Sequence, residues 1–505
     1  MNRTNTRRTS TLGAVALTAA LVLTGCFSGG GGGAGPSPEE GDGRIALAML
    51  QPPRSGLTPL SDDAFKLTRW STVESLVSLD DAGDAQPALA TDWTQSDDTT
   101  WDLTIREGVL FHDGTTLDAA AVVNALQNAL HASPRPRVLD GYELTAEAVD
   151  DMTVRIVTGT PDPILPQRLS SPQLVILAAS AYGDDGTVDP TGTGTGPFEL
   201  TEIGGTSTAT LERFDDYWGG PAEAAGIDVT YVNDGAARGA ALRTGAADIV
   251  EAIPVSQLAL LDQALLHEVP MPRTNAVYFN NGEGVFADQA MRAAARAALD
   301  PESIVENVYE GHADITGGLF GPALPWAEDV RGDIASSVAP ADPAGATITL
   351  ATYSDRAELP EVAVLVEQQL EAAGFEVRQD VREYANFEPD ALEGDFDAII
   401  FSRAVLLETG DPVAYLTSDY SCAGTFNFAQ LCDPEIDRLI AAASAAEPGE
   451  ERQKAIAAVE EAILQADALA PLLHERVVQG EGEGVAGALR DPRERRLITE
   501  DTTAP

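Results

Sequence analysis

The chain is predicted to fold as an α/β protein of two or three lobes, and three observations lead to this prediction. Its 505 residues are far more than one simple domain holds. Several short segments alternate apolar and polar residues, which is the pattern of half-buried strands. Between Ala346 and Ile400 a strand pattern, an amphipathic helix pattern and further strand patterns follow one another, which favours a partly parallel sheet covered by helices.

The first residues have the composition of a secretory signal. Arg3, Arg7 and Arg8 form a basic start, and residues 12–23 form an apolar stretch. That stretch is too short to span a bilayer, which needs ~20 apolar residues, and it fits a cleaved signal peptide. The sequence Leu-Thr-Gly-Cys that ends at Cys26 is similar to the bacterial lipobox, so Cys26 is predicted to carry a lipid. Ordinary signal cleavage with an incidental cysteine is the alternative.

The segment after Cys26 is rich in glycine and proline, so residues 27–43 are predicted to be a flexible tether outside the fold. The protein is therefore expected outside the cytoplasm, anchored by lipid to the outer face of the cell membrane, on the periplasmic side where an outer membrane exists.

The charge of the chain excludes two kinds of partner. Eighty acidic and 31 basic residues give a formal net charge of −49. Binding to nucleic acid rests on basic patches, and an anionic lipid surface would repel such a chain. The acidity itself is explained by solubility and repulsion outside the cell, or by a biased genome composition. Nearly all basic residues are arginine, because Lys66 and Lys454 are the only lysines.

The chain has three cysteines. With Cys26 assigned to the lipid, Cys422 and Cys432 remain as a pair in an exported protein, where disulfides persist. We expect them to be bonded, closing a small loop that stabilises the fold by ~2–3 kcal/mol in the chain-entropy account. A zinc site is not expected, because this pair has no further cysteine or histidine partner nearby.

A strand, a turn and a helix are predicted between residues 101 and 130. Apolar and polar residues alternate in the strand, and Asp113 with Gly114 suits a tight turn. Asp118 can cap a helix whose apolar face holds Val122, Val123, Leu126 and Leu130. His112 has no partner at metal-ligand spacing, so a structural histidine in the turn is expected instead of a catalytic or metal-binding one.

This region resembles the signature of the peptide/nickel/opine group of extracytoplasmic solute-binding proteins, solute-binding protein family 5, the receptors that feed ABC importers. The family shows a Pro-x-Leu-Ala-x-x-Trp start and then a Phe-His-Asp-Gly turn. Here the matching residues are Pro87, Leu89, Ala90 and Trp93, followed by residues 111–114.

The resemblance continues along the chain to about residue 480. Matching segments include the Gly-Thr-Gly-Pro-Phe turn at 194–198, the Tyr-Trp-Gly-Gly element at 217–220 and the strand-like Tyr-Phe-Asn-Asn at 278–281. The segment after Gly480 matches poorly and is predicted to be a surface strand with a frayed tail.

The resemblance implies a two-lobed periplasmic-binding-protein-like fold, class II and cluster C type, with an extra subdomain in lobe one. Lobe one would comprise residues 44–70, 190–275 and 478–505, with the subdomain at 71–189 and lobe two at 276–477. The protein would act as a monomer without a cofactor, and its partners would be an ABC permease and ATPase complex.

The ligand is expected near residues 401–412, by resemblance to peptide-binding relatives. Those relatives show Gly-Trp and then an acid that pairs with the α-amine of the ligand, before an Asp-Pro or Glu-Pro pair. The Gly-Trp is missing here, Glu408 occupies the position of the acid, and Asp411 precedes Pro412. Glu408 could equally be a solvated loop acid, and Asp411 could be a helix N-cap.

Three further residues are candidates for ligand contact. Arg403 and Arg356 could bind a ligand carboxylate through two hydrogen bonds. Asn427 lies in a segment similar to the family's Asn-Tyr element. His474 lies where some relatives use a histidine for a metal chelate, although an isolated histidine is more often structural.

The solute is predicted to be a short peptide, bound as an added strand in the cleft between the lobes. A metal chelate, an opine or an oligosaccharide is the alternative within the same receptor fold. An extracytoplasmic hydrolase is the rival reading, but the sequence has neither a Gly-x-Ser-x-Gly elbow nor a His-Glu-x-x-His helix.

Overall fold

The computed structural model describes residues 43–80 and 83–505. The predicted signal segment with Cys26, and the tether up to residue 42, lie outside the described residues. The strands are β1 (Arg44–Met49), β2 (Val77–Leu79), β3 (Ala85–Pro87), β4 (Ala90–Asp97), β5 (Thr100–Ile105), β6 (Leu144–Asp150), β7 (Thr153–Thr158), β8 (Phe198–Gly204), β9 (Thr208–Arg213), β10 (Gly226–Tyr231), β11 (Ile249–Val250), β12 (Leu266–Phe279), β13 (Ala313–Ile315), β14 (Thr347–Tyr353), β15 (Glu376–Arg382), β16 (Ala398–Ala404) and β17 (Leu469–Glu481).

The helices are α1 (Ala64–Arg69), α2 (Ala119–His131), α3 (Leu165–Arg168), α4 (Gly235–Thr244), α5 (Val255–Leu258), α6 (Gln289–Ala298), α7 (Pro301–Asn307), α8 (Trp326–Val330), α9 (Leu359–Ala372), α10 (Tyr384–Glu393), α11 (Pro412–Tyr420), α12 (Pro434–Ala445) and α13 (Glu450–Gln465). The predicted cap of α2 is present, because the Asp118 carboxylate accepts a hydrogen bond from the Ala121 amide at 2.8 Å.

One mixed sheet runs through most of the molecule, in the order β15-β14-β16-β12-β17-β11-β1-β10-β9-β8, with β13 paired to β17. The pairs of β1 with β10 and β11, and of β14 with β15 and β16, are parallel. A separate antiparallel sheet has the order β4-β5-β7-β6, and β2 pairs with β3. The strand-helix-strand alternation predicted near residue 350 therefore gives a parallel corner of the sheet.

The two long strands β12 and β17 carry the main sheet from one half to the other. Their pairing runs from Leu266 opposite Gly480 to Pro270 opposite Arg476, and resumes at Thr274. The intervening residues 271–273 have no partner in the β12–β17 register. Extra residues in one strand bend it and increase its twist, so the sheet changes direction here.

The apolar residues of the described chain form three large cores. One surrounds β1, β8 and β10 and includes the fully buried Ile45, Leu200 and Ile227. A second joins α2 to the β4-β5-β7-β6 sheet and includes Phe111, Val122 and Ile156. A third surrounds β12, β14 and β16 and includes Phe279, Val366 and Ile463. We propose that these cores are those of lobe one, its inserted subdomain and lobe two.

The Gly-Thr-Gly-Pro turn has a packing reason for its glycines. A Cβ on Gly194 would lie 2.0 Å from the Thr72 carbonyl oxygen, and one on Gly196 would lie 1.9 Å from that of Ser71. The His112 Nε2 lies 2.9 Å from the Gly196 carbonyl oxygen, and burial lowers the His112 pKa to about 4. The structural role predicted for His112 agrees with these contacts.

The end of the chain packs onto the rest of the structure and, within residues 482–505, contains no strand, so the predicted surface strand and frayed tail are wrong. Leu497 is 6% exposed, and Ile498 is fully buried in the core around β1, β8 and β10. The Arg495 guanidinium donates to the Leu407 carbonyl oxygen and to Ser170. Apolar burial and these hydrogen bonds together hold the segment in place.

Glu74 connects three segments of the chain that are far apart in sequence. Its carboxylate accepts hydrogen bonds from the Thr195 hydroxyl at 2.8 Å, the Tyr217 hydroxyl at 3.1 Å and the Trp218 indole at 3.0 Å. These donors are all neutral. Burial therefore raises the Glu74 pKa from 4.5 to about 7, even though the three hydrogen bonds act in the opposite direction.

Glu74 is expected to make stability fall with rising pH. The unfolded carboxyl ionises near its ordinary pKa of 4.5, whereas the folded one keeps its proton up to about 7, so the folded state binds more protons in that window. Urea unfolding of the wild type and of Glu74→Gln at pH 5 and pH 8 tests this. Relative to the variant, the wild type should lose on the order of 2 kcal/mol over that range. An equal change in the free energy of unfolding between pH 5 and pH 8 in the two proteins would contradict the raised pKa of Glu74.

Candidate functional site

A cavity lies where the main sheet bends, with walls from both halves of the sheet. Its empty volume is about 830 Å³, including its opening to solvent. One wall follows β1 and α1, and the opposite wall follows β14 and β16. The residues that line it are Met49, Leu50, Gln51, Arg54, Asp62, Phe65, Lys66, Arg69, Arg137, Glu251, Arg273, Tyr353, Arg356, Tyr384, Phe401, Ser402, Arg403, Ala404, Leu407, Phe426 and Glu494.

Basic side chains are concentrated in this cavity. Seven of the 31 basic residues of the chain line it, against three of its 80 acidic residues. Aromatic rings support two of the cations, since the Arg54 guanidinium lies 4.6 Å from the Tyr384 ring centre and that of Arg137 lies 4.4 Å from that of Phe426. The cavity lining therefore holds more basic than acidic residues, whereas acidic residues outnumber basic ones in the chain as a whole.

Arginines bind the acidic residue Asp62 at the rim of the cavity. Its Oδ2 accepts from the Arg54 Nη2 at 2.9 Å, and its Oδ1 accepts from Arg137. Although burial opposes it, the two guanidinium groups lower the Asp62 pKa. Both oxygens of this carboxylate are therefore occupied by protein donors.

The other two acids of the cavity are occupied in the same way. Glu494 accepts from the Arg273 Nε at 2.7 Å and from the Arg69 Nη2 at 2.9 Å. These cations hold the Glu494 pKa at about 2 in spite of its burial. Glu251 contacts Arg69 with one oxygen and accepts from the Leu50 amide at 2.7 Å with the other.

Glu408 lies behind the cavity wall and not on its surface. It is 1% exposed, and its Oε1 accepts from the Arg403 Nη2 at 2.9 Å and lies 3.3 Å from the Arg137 Nη2. Arg403 also binds both carboxylate oxygens of Asp419, at 2.7 and 2.9 Å. Two arginines neutralise the Glu408 carboxylate without a ligand, although its Oε2 has no hydrogen-bond partner among the described residues. Pairing of Glu408 with a ligand amine therefore stays a prediction, and the contacts of its Oε1 do not favour it.

Asp411 and Asn427 have local structural contacts instead of cavity contacts. Asp411 caps α11 through the Val413 amide at 2.9 Å and binds the Arg452 guanidinium through both oxygens. Asn427 exchanges hydrogen bonds with the backbone of Leu431. Neither residue lines the cavity.

Two of the five predicted ligand-binding residues, Arg356 and Arg403, are cavity residues. Sequence reasoning missed the other five cations of the lining, which are Arg54, Lys66, Arg69, Arg137 and Arg273. A usable signal was present, because a lysine is rare in this chain and Lys66 is one of only two.

The structure places Cys422 and Cys432 in a disulfide that links the end of α11 to the start of α12. His474 is 2% exposed, its ring contacts the hydroxyls of Thr274 and Thr316, and burial lowers its pKa to about 4. Within residues 43–80 and 83–505, no group of three or more histidine, cysteine, aspartate or glutamate side chains is arranged to hold a metal ion. No helix in the same ranges is long and apolar enough to cross a membrane.

Comparison with known proteins identifies the family. Residues 84–427 match the sequence profile of the bacterial extracellular solute-binding proteins, family 5. The chain belongs to this family. Its members are extracytoplasmic receptors that bind solutes for ABC importers, as the resemblance implied.

The relatives of this family 5 protein differ in their solutes. The nickel-binding protein NikA of Staphylococcus aureus is 24% identical over 85% of this chain and 85% of its own. The glutathione-binding protein GsiB of Salmonella paratyphi A is 25% identical over 83% of this chain and 86% of its own. The crystal structure of a dipeptide-binding protein of Pseudoalteromonas sp. SM9913 in complex with Met-Leu has a TM-score of 0.81 at 18% identity, covering 91% of this chain and 99% of that one. The predicted two-lobed α/β fold is thereby confirmed.

Glu408→Gln is expected to lower the stability of this family 5 protein. The change leaves the buried Arg403 and Arg137 without one of their counter-charges, and breaking a buried pair costs about 3–5 kcal/mol. Because Asp419 and Asp62 remain, we expect the lower end of that range in denaturant unfolding. The control is Glu435→Gln, which removes an exposed pair with Arg438 and should cost less than about 1 kcal/mol. Equal effects of the two changes would contradict the structural role of Glu408.

Proposed function

We propose that this protein captures a small solute in the cavity between its lobes, closes around it and delivers it unchanged to an ABC permease and its ATPase. A lipid on Cys26 would anchor it to the outer face of the cell membrane. The observation that carries the proposal is the cavity itself, whose walls come from both halves of a sheet that bends at residues 271–273.

Contacts across the cavity support closure. The Arg54 Nη1 lies 2.6 Å from the Glu388 Oε2, and the Thr425 hydroxyl donates to the Asp140 carboxylate at 2.6 Å. These pairs join the proposed lobe one and its subdomain to lobe two at the rim. A solute that contacts both walls would favour this closed arrangement, with the bend of β12 and β17 as the hinge.

The properties of the relatives suggest the size of the solute. The comparison proteins are named for nickel, glutathione or dipeptide binding. A short peptide stays our prediction for the solute of this chain, and Arg356 or Arg403 would bind its carboxylate. A metal chelate, an opine or an oligosaccharide remains the alternative, since the acid for a peptide amine is already neutralised.

The cavity can be filled from within to test the proposal. Gln51 lines it and is partly exposed, so Gln51→Trp should occupy part of the space that a solute needs. Native mass spectrometry of the soluble chain lacking residues 1–26 should show a small adduct on the wild type that denaturation releases. The variant should carry that adduct at tenfold lower occupancy or less.

Gln127→Trp is the matched control, because Gln127 is exposed on α2 and away from the cavity. It should retain the adduct as the wild type does. Full occupancy in Gln51→Trp, or recovery of the solute in a chemically altered form after incubation, would contradict a receptor that binds in this cavity and releases its solute unchanged.

A further inference from the structure

Two cations of the cavity have hydrogen-bond donors to spare. The Lys66 ammonium makes one bond within the described residues, to the Asp63 Oδ1 at 3.1 Å. The Arg356 guanidinium makes one there as well, from its Nη1 to the Glu475 Oε2 at 2.8 Å. An ammonium has three N–H donors and a guanidinium five, so roughly six donors are left without a protein acceptor in those ranges.

The carboxylate acceptors of the cavity lining are, by contrast, used up. Each oxygen of the lining acids Asp62, Glu251 and Glu494 already contacts an arginine or a backbone amide. A ligand ammonium would have to break one of these pairs, in a cavity where cations outnumber acids. A ligand carboxylate would instead find unoccupied donors.

Net charge alone does not explain why the cavity would favour a ligand carboxylate over a ligand ammonium. The seven cations contact eight acidic side chains, counting those behind the walls, so the whole cluster is close to neutral. The buried cations therefore have counter-charges without any ligand. What distinguishes the cavity is that the charged lining groups with unused hydrogen-bonding capacity are donors.

Lys66 and Arg356 belong to opposite walls. Lys66 lies on α1 in the proposed lobe one, and Arg356 follows β14 in the proposed lobe two. Their side chains are 12% and 15% exposed, so each is sheltered but reachable from the cavity. A solute with two acid groups could contact both and hold the lobes together.

We infer that the cavity selects a small organic polyanion, a solute with at least two carboxylate or phosphate groups, over a zwitterionic peptide. Lys66 and Arg356 would each bind one acid group. The inference rests on the proposed receptor function, whose cavity it uses, and it assigns the charge of the solute.

Calorimetry on the soluble chain lacking residues 1–26 tests the inference with glutarate, citrate, 3-phosphoglycerate and Ala-Ala as probes. At least one of the three acids should bind, and at least tenfold more tightly than Ala-Ala. Lys66→Met and Arg356→Gln should each weaken that acid tenfold or more. The matched controls are Lys454→Met and Arg438→Gln, both in exposed ion pairs, and they should leave the affinity unchanged.

Amine acetylation of the wild type gives a second readout that does not depend on a variant folding. Because Lys66 and Lys454 are the only lysines, Lys454 serves as an internal reference in the same molecule. The bound acid should slow labelling of Lys66 at least fivefold and leave that of Lys454 unchanged.

The outcomes separate the inference from the proposed function. If Ala-Ala binds as tightly as the best acid, or if the bound acid does not protect Lys66, the polyanion inference is overturned. Either result would leave the proposed receptor function standing. If none of the three acids binds, the polyanion inference is also overturned. In that case a neutral or cationic adduct in the native mass spectrum would show that the receptor function still stands. An adduct that survives filling of the cavity by Gln51→Trp would overturn both.

Discussion

The pairing of β12 with β17 is the interaction on which the two halves of this protein depend. Through it, a parallel corner at β14 and β15 and the β1–β10 region belong to one hydrogen-bonded sheet. The pairing is interrupted at residues 271–273. The cavity lies at this interruption, since Arg273 is one of its lining residues. The same strands that join the lobes thus set the angle between them.

Buried charge imposes the second constraint. An arginine that leaves water needs acceptors, and the Arg403 guanidinium obtains them from Asp419, Glu408 and its neighbour's carbonyl oxygen. Asp419 shows the opposite effect of the same burial, since its pKa is raised even with Arg403 beside it. The acids that line the cavity are therefore neutralised by arginines of the fold, and proximity to a cleft is a poor guide to whether an acid can bind a ligand.

Local physics and the family pattern predicted much of the fold. The alternating strand near Trp101 and the cap at Asp118 are both present, because each depends on neighbours a few residues away. The contacts of Glu408, a predicted ligand-binding residue, and those of the C-terminal segment depend on distant partners as well. Glu408 meets Arg137, 271 residues earlier in the chain, and Arg495 meets Ser170, 325 residues earlier. No spacing in the sequence encodes such pairs, so the fate of Glu408 could not be foreseen.

An acidic chain can have a cavity that binds an anion, because salt screens the interaction between surface charges and the ligand over a short distance. At physiological ionic strength the Debye length is about 8 Å, so acids spread over the surface are screened from a ligand inside the cleft. Contacts at 3 Å in a sheltered site are screened much less. The surface charge then serves solubility and repulsion between molecules. The few donors left over by the ion pairs of the cavity decide what it can hold.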